Sequence, residues 1–272
     1  MTAPLACPDD FSPLAVAADG LLCRRCGRNF TPLEGVIGLL PQESLREGTA
    51  ESRQLVSYGA TYSQRPDRPV LQPFRELITR FGNAYLYSWV RCSIEKIAAH
   101  RSLAILDAAC GEGILRRYVP ARHHYTGIDF SSRPLERAFR YHPADYFRAD
   151  LTRLPFPSAT FDLVISIQAL QYLQDPRLAV SQIARVLKPG GHFLATVPNA
   201  ASIKYRFTGI PPVQLREFRR NDFLAMISDE FEVEELDCRG LWLPMPIFSI
   251  HIAGKYREGL GLSWTSIGIR KG

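Results

Sequence analysis

Residues 101–272 predict an α/β fold built on a largely parallel sheet. Three observations carry that expectation. Short apolar runs alternate with helix-like patterns, as in folds whose strands are joined by crossover helices. A turn of small residues, Ala108-Ala109-Cys110-Gly111-Glu112-Gly113, follows the first run. Acids close the next two runs, at Asp129 and Asp150.

The predicted strands are Leu103–Asp107, Tyr125–Asp129, Tyr146–Ala149, Phe161–Ile167, His192–Val197, Phe231–Asp237 and Ser263–Ile269. One helix is expected to start at Ser131-Ser132-Arg133-Pro134, with a serine cap and proline in its first turn. Another should run from Pro176 to Leu187 and stop at the breaker cluster Lys188-Pro189-Gly190-Gly191. Residues 42–100 read as helices forming a cap or linker. Leu86, Trp89, Val90, Ile94, Ile97 and Ala98 keep amphipathic helical spacing, and Val70, Phe74, Leu77, Ile78 and Phe81 keep it one helix earlier. Residues 1–41 form a third region, with Cys7, Cys23 and Cys26, several turn residues and a closing apolar run to Pro41.

Composition narrows the function classes. The 272 residues are 46% hydrophobic and 22% charged, which excludes disorder, collagen and coiled coil as the main architecture. The best apolar stretch, Leu241–Ile252, is broken by Pro244 and Pro246 and carries His251, so no membrane span is expected. The first residues lack the pattern of a secretory signal, and six cysteines are too sparse for a disulfide scaffold. A reducing, cytoplasmic setting is the expectation. The net charge of +6 is unevenly spread. Lys204, Arg206, Arg216, Arg219 and Arg220 face one acid, Glu217, in a local basic stretch, while the N-terminal region is acidic. Such a stretch suits an anionic small substrate as well as RNA, and equally a solvated surface.

The glycine turn has a physical reading. Backbone that passes close to a ligand has no room for Cβ atoms, and the amides of the following helix start face the ligand. Asp129 lies 18 residues past Gly111, the placement that lets a second-strand acid accept both ribose hydroxyls. Asp150, ending the third strand, is placed to accept from an adenine amino group while Leu151 packs on the ring. All of these fall at carboxyl ends of consecutive strands, where open α/β sheets bind ligands.

On these residues the chain resembles a class I S-adenosylmethionine-dependent methyltransferase with a type 11-like core. Asp107 through Gly113 is similar to the family's first motif, with Ala109 in place of its first glycine. The runs Leu154-Pro155-Phe156-Pro157 and Leu187-Lys188-Pro189-Gly190-Gly191 resemble family segments too; a nicotinamide-binding Rossmann domain accounts for Gly111 and Asp129 but not for these. The resemblance implies a Rossmann-like seven-stranded sheet in the order 3-2-1-4-5-7-6, its last strand antiparallel. It implies S-adenosylmethionine contacts by Asp107, Ala109, Gly111, Gly113, Asp129, Phe130, Asp150, Leu151 and Gln168.

Cys23-Arg24-Arg25-Cys26-Gly27 is a metal knuckle, two thiolates two residues apart with glycine allowing the turn. Cys7-Pro8-Asp9-Asp10 offers a second, with Asp10 where a fourth cysteine would fall. The layout resembles the zinc-ribbon module that precedes some bacterial methyltransferase domains, including ribosomal RNA guanine methyltransferases. It implies structural zinc on Cys7, Asp10, Cys23 and Cys26, or a ribbon that has lost its metal.

For the methyl acceptor, the fourth strand is followed by Gln168-Ala169, not the Asn/Asp-Pro-Pro-aromatic clamp of amino-directed nucleic-acid methyltransferases. No Pro-Cys dipeptide supplies a pyrimidine C5 nucleophile. Acceptor-pocket candidates are Gln171, Tyr172, Asn199 and a lid over 199–221, with Arg206 and Arg216 meeting an anionic group and Tyr58 and Tyr62 closing over the cofactor. Tyr172 reads equally as a core aromatic. No catalytic base is named. Two classes remain: a small-molecule methyltransferase of specialised-metabolite biosynthesis, and a ribosomal RNA base methyltransferase guided by its ribbon. The acidic N-terminal region favours the first.

Overall fold

The computed structural model describes residues 3–45, 72–209, 214–244 and 249–272. The chain starts with an antiparallel meander, β1 (Leu14–Ala17), β2 (Gly20–Cys23) and β3 (Asn29–Phe30). A tight hairpin follows, β4 (Pro32–Leu33) and β5 (Val36–Leu39), then a 3-10 turn at Glu43–Leu45. This hairpin does not stay with the meander. β5 pairs in parallel with β8 (Asp145–Ala149), Ile37 opposite Phe147, and so extends the main sheet. The first region therefore covers an edge that would otherwise present unpaired backbone groups.

Helix α1 spans Gln72–Ala98 without a break. The two helices expected here are one; Gly82 costs a helix about 1 kcal/mol relative to alanine but does not end it as proline would.

The remaining elements are β6 (Ala104–Ala108), β7 (His124–Asp129), α2 (Ser132–Tyr141), β8, β9 (Phe161–Ile167), α3 (Pro176–Val186), β10 (Leu187–Pro198), α4 (Ile203–Thr208), α5 (Arg220–Ile227), β11 (Phe231–Pro244), β12 (Ser249–Lys255) and β13 (Gly261–Arg270). The ten-stranded sheet runs β12-β11-β13-β10-β9-β6-β7-β8-β5-β4. Counting the expected seven from β6, its centre is 3-2-1-4-5-7-6, with β13 antiparallel to both neighbours. β12 was not expected from sequence, and β10 starts earlier than expected: Leu187 already pairs with Phe161 before a bulge re-registers the strand at His192.

Alternation in the central strands builds the core. Ile105, Leu163 and Ile165 face the layer of α1 and α2, with Val90, Ile94 and Leu135. Leu106 and Val164 face the opposite layer, with Ile183, Phe193 and Phe223. Cys7, Cys23 and Phe30 belong to that second cluster, so the meander packs on the same core. Asp162 ties the strand starts together. Its carboxylate accepts from the Ala104 amide at 2.8 Å and pairs with Lys188 at 2.9 Å. Asp175 caps α3, accepting from the amides of Arg177 and Leu178, with Pro176 in the first helical position. Ser131 stands at the α2 cap, but its hydroxyl makes no capping bond; its amide instead donates to Asp129 at 2.9 Å.

Candidate functional site

The strand ends of β6, β7, β8 and β9 form one edge, and the sequence-predicted acids meet there. Between β6 and β7 the chain makes its glycine turn, anchored by the amides of Ala109 and Cys110 donating to the Ile128 carbonyl at 2.9 and 2.8 Å. Three successive odd positions adopt left-handed backbone: Ala109 (φ 73°), Gly111 (φ 55°) and Gly113 (φ 72°). The two glycines serve different ends. A Cβ on Gly113 would lie 2.6 Å from the Tyr146 hydroxyl, whereas one on Gly111 would meet nothing within 4 Å. Gly113 is thus required by packing, and Gly111 keeps open the space above the sheet. Ala109 holds a conformation that costs a non-glycine residue on the order of 1 kcal/mol or more, the kind of strain that gathers at functional sites.

Asp129 is buried at the end of β7. One carboxylate oxygen accepts from the Gly111 amide at 2.9 Å and the other from Ser131. Each oxygen keeps a lone pair for a further donor. Burial raises its pKa, while these amides oppose the rise. Asp107 sits deeper, 2% exposed, and accepts from the Tyr125 hydroxyl. Burial pushes its pKa up to about 7, with the Asp129 charge adding to the rise and Tyr125 opposing it. Glu112 leaves the turn to pair with Arg137 of α2 at 2.9 Å, fixing turn to helix. Half-buried Phe130 accepts through its carbonyl from Arg148 at 2.9 Å, and Leu151 is buried.

Asp150 at the end of β8 is also buried. Its Oδ1 accepts from the amide and hydroxyl of Thr152, at 2.8 and 2.6 Å, and its Oδ2 from the Ser44 hydroxyl at 2.9 Å. Ser44 comes from the N-terminal region, 106 residues away in sequence, and carries no motif that would have marked it.

On the other side of β6, Gln168 follows the last residue of β9 with left-handed backbone, φ 54°. Its side-chain amide donates to Thr196 and Ser263, both at 3.2 Å, and Ser263 shares a 2.8 Å bond with Tyr85 of α1. Gln171 is buried; its amide donates to the Gln168 carbonyl at 2.8 Å, and its Oε1 has no partner. Its backbone carbonyl receives the amides of Leu215 and Arg216 at 2.9 and 3.1 Å, pinning the return of the segment after β10. Burial raises the pKa of Tyr85, Tyr172 and Tyr205, so these phenols stay protonated. Tyr85 and Ser263 were not among the sequence candidates, whereas Tyr205 lies in the segment expected to wall the pocket. Tyr85 lay within the helical pattern but gave no sign of facing the site.

Three acceptor candidates sit elsewhere than expected. Asn199 is fully buried and spends its amide on the carbonyls of Gly261 (2.9 Å) and Glu258 and its oxygen on the Ala201 amide, so it staples loops. Arg206 is exposed on α4, and exposed Arg216 bonds the Gln174 carbonyl, so neither lines an enclosed wall. Tyr58 and Tyr62 lie outside the described residues. Within 199–221, the described part is not a bare loop: it holds α4, a bridge from Asn199 to Phe218 and the start of α5.

The ligand atoms of Cys7, Asp10, Cys23 and Cys26 lie within 4.8 Å of one another. Both knuckles share one backbone turn. The Gly27 amide donates to the Cys23 carbonyl, and the Phe11 amide to the Cys7 carbonyl, each at 2.9 Å. The closing residue is left-handed in both, Gly27 at φ 77° and Phe11 at φ 57°. Asp10 thus occupies the place of the fourth cysteine. The spacings suit a tetrahedral ion. Zinc arms of about 2.3 Å to sulfur and about 2.0 Å to oxygen set edges of about 3.8 Å between sulfurs and about 3.5 Å from sulfur to oxygen. The Cys7–Cys26 sulfurs are 3.7 Å apart, and the Cys23 sulfur is 3.5 Å from Asp10 Oδ2. Hydrogen bonds from Ser12 hold the Asp10 pKa near 2, so the carboxylate is ionised.

Known proteins agree with this geometry. Residues 106–195 match the family described as "Methyltransferase domain". The chain is 32% identical over 143 residues to a "probable S-adenosylmethionine-dependent methyltransferase" of Mycolicibacterium smegmatis, covering 50% of this chain and 56% of the relative. It is 35% identical over 113 residues to a malonyl-[acyl-carrier protein] O-methyltransferase of Erwinia billingiae, covering 41% and 45%. The chain thus spans about half the length of the curated relatives it matches. In fold it is similar to an S-adenosylmethionine-dependent methyltransferase of Thermotoga maritima, with TM-score 0.59 and 18% identity over 80% of this chain and 99% of that one. Residues 106–195 thus match a methyltransferase domain, and the strand order is that of the class I S-adenosylmethionine-dependent methyltransferase fold.

Proposed function

We propose that the protein transfers a methyl group from S-adenosylmethionine to a small-molecule acceptor in a biosynthetic pathway. The observation that carries the reading is the pair of buried acids at adjacent strand ends, Asp129 and Asp150, the first of them bonded to the amide of Gly111, whose Cα faces open space. In this reading Asp129 accepts the ribose hydroxyls through its two remaining lone pairs. Asp150 takes the adenine amino group, Leu151 packs on the ring, and Phe130 borders it. Ala109, Gly111 and Gly113 let the backbone pass the methionine portion, with Asp107 beneath them and Gln168 beside them. Bound S-adenosylmethionine supplies a sulfonium-activated methyl group.

The chain's part is positioning: holding the nucleophile in line and keeping water out. The groups gathered beyond Gln168 are amides, hydroxyls and protonated phenols: Gln171, Tyr172, Tyr85, Tyr205 and Ser263. They donate hydrogen bonds rather than remove protons. That suits an acceptor that arrives as a ready nucleophile, such as a carboxylate; the Erwinia relative is named as an O-methyltransferase. The N-terminal cluster is read as a structural zinc site of Cys7, Asp10, Cys23 and Cys26. Among the described residues no helix is long and apolar enough to cross a membrane.

Two measurements test the reading. Radiolabelled S-adenosylmethionine should pass its methyl to carboxylate metabolites and not to ribosomal RNA; salt-steep RNA binding with base methylation would contradict it. Elemental analysis of protein purified without added metal should find one zinc per chain, and a value near zero removes the metal from the account.

A further inference from the structure

Asp150 offers a test of how the cofactor's base is chosen. A carboxylate has about four acceptor positions. Thr152 fills both positions of Oδ1 through its amide and hydroxyl, at 2.8 and 2.6 Å. Ser44 takes one position of Oδ2 at 2.9 Å. A single acceptor position remains, on a carboxylate that is 5% exposed and cannot turn without breaking three bonds.

Ser44 is itself buried and firmly held. The segment before it is tied to the first knuckle: the Gln42 amide donates to Asp9 Oδ1 at 2.8 Å, and Arg28 bonds both Asp9 and the Leu40 carbonyl, the latter at 3.2 Å. Arg153, three residues after Asp150, bonds the carbonyls of Pro8 and Asp9. The hydroxyl donor and the turn that carries the acid are thus braced on the same knuckle.

We propose that Ser44 is a positioning residue that sets selectivity for the cofactor's base. By taking one position of Oδ2 it leaves Asp150 one directed acceptor, which suits the amino group of adenine and repels the carbonyl of a deaminated base. This rests on the cofactor reading above and adds a residue from the N-terminal region to it. Ser44 acts through Asp150, so its loss should weaken recognition of the amino group rather than of the whole ligand.

The test is calorimetric binding of S-adenosylhomocysteine and S-inosylhomocysteine to the full chain, purified without chelators. Wild type should prefer the adenosyl ligand. Ser44→Ala should lower that preference about fivefold, the worth of one net hydrogen bond, by weakening the adenosyl ligand alone. Ser44→Thr, which keeps the hydroxyl, should restore it. Circular dichroism and Tm check folding; should Ser44→Ala not fold, Ser44→Cys, of similar size and with a weaker donor, makes the same comparison. An unchanged preference, or equal weakening of both ligands, overturns the proposal. Wild type that binds neither ligand overturns the cofactor reading itself.

Discussion

The proposed cofactor half and the proposed acceptor half of the site share one sheet edge but are built by different means. The cofactor half uses buried acids whose oxygens are already partly bonded to backbone amides: Asp129 to Gly111 and Ser131, Asp150 to Thr152. Every one of those partners lies within a few residues of a strand end. The acceptor half uses amides and hydroxyls joined across the fold, Tyr85 to Ser263 to Gln168 to Thr196, with the arginines outside. The difference teaches where rigidity is placed. On the proposed reading, preorganised charge would fix the common reactant, and a neutral wall would leave the acceptor to be selected by shape.

The comparison breaks most visibly at Asp107. Its folded-state pKa, about 7, lies above its unfolded value of about 3.8 because of burial. Between those values the folded state keeps the proton and the unfolded state loses it, so stability falls as pH rises through that window. At about 1.4 kcal/mol per pH unit over about three units, the loss is on the order of 4 kcal/mol. Asp107→Asn retains an oxygen for Tyr125 and does not ionise. Denaturant unfolding of the unliganded protein should show the variant gaining on wild type from pH 4 to pH 8, and no such gain places Asp107 outside a strained, buried setting.

Next in size is Asp129→Ala. Loss of charge-assisted bonds to both ribose hydroxyls should weaken S-adenosylhomocysteine binding more than tenfold, roughly 2 kcal/mol. A loss below threefold would mean that the ribose lies elsewhere.

Ala109→Gly should act in a smaller and unusual direction. Glycine relieves the left-handed strain at φ 73° but adds unfolded-state entropy, so Tm should hold or rise, by up to about 1 kcal/mol of stability. In a helix the same exchange costs about that much.

Smallest of all, Arg206→Ala and Arg216→Ala should leave Tm and cofactor binding within about 0.5 kcal/mol of wild type, as exposed side chains do. A marked loss of cofactor affinity in either would erase the division between the halves.

How much of this was readable from the sequence follows from sequence distance. Gly111 and Asp129 belong to one strand-turn-helix-strand stretch, so spacing brought them together, while Asp107 was marked by the resemblance. The central strand order followed from the resemblance. Ser44 reaches Asp150 across 106 residues and Tyr85 reaches Ser263 across 178, and no local pattern encodes such meetings. Asn199 looked like a pocket residue because it ends β10, yet a polar side chain at a strand end also serves to staple loops, and its partners decide which. β12 went unseen because the prolines at 244 and 246 disguised a hairpin, and the docking of β5 on β8 needed knowledge of which edge was free.

The central claim is that the strand-end edge carrying the glycine turn, Asp129 and Asp150 holds S-adenosylmethionine. Isothermal calorimetry on the unliganded wild-type chain tests it most directly. The account predicts one S-adenosylmethionine bound per chain and no heat with NAD. Binding of NAD, or no binding of S-adenosylmethionine to a folded chain, would contradict it.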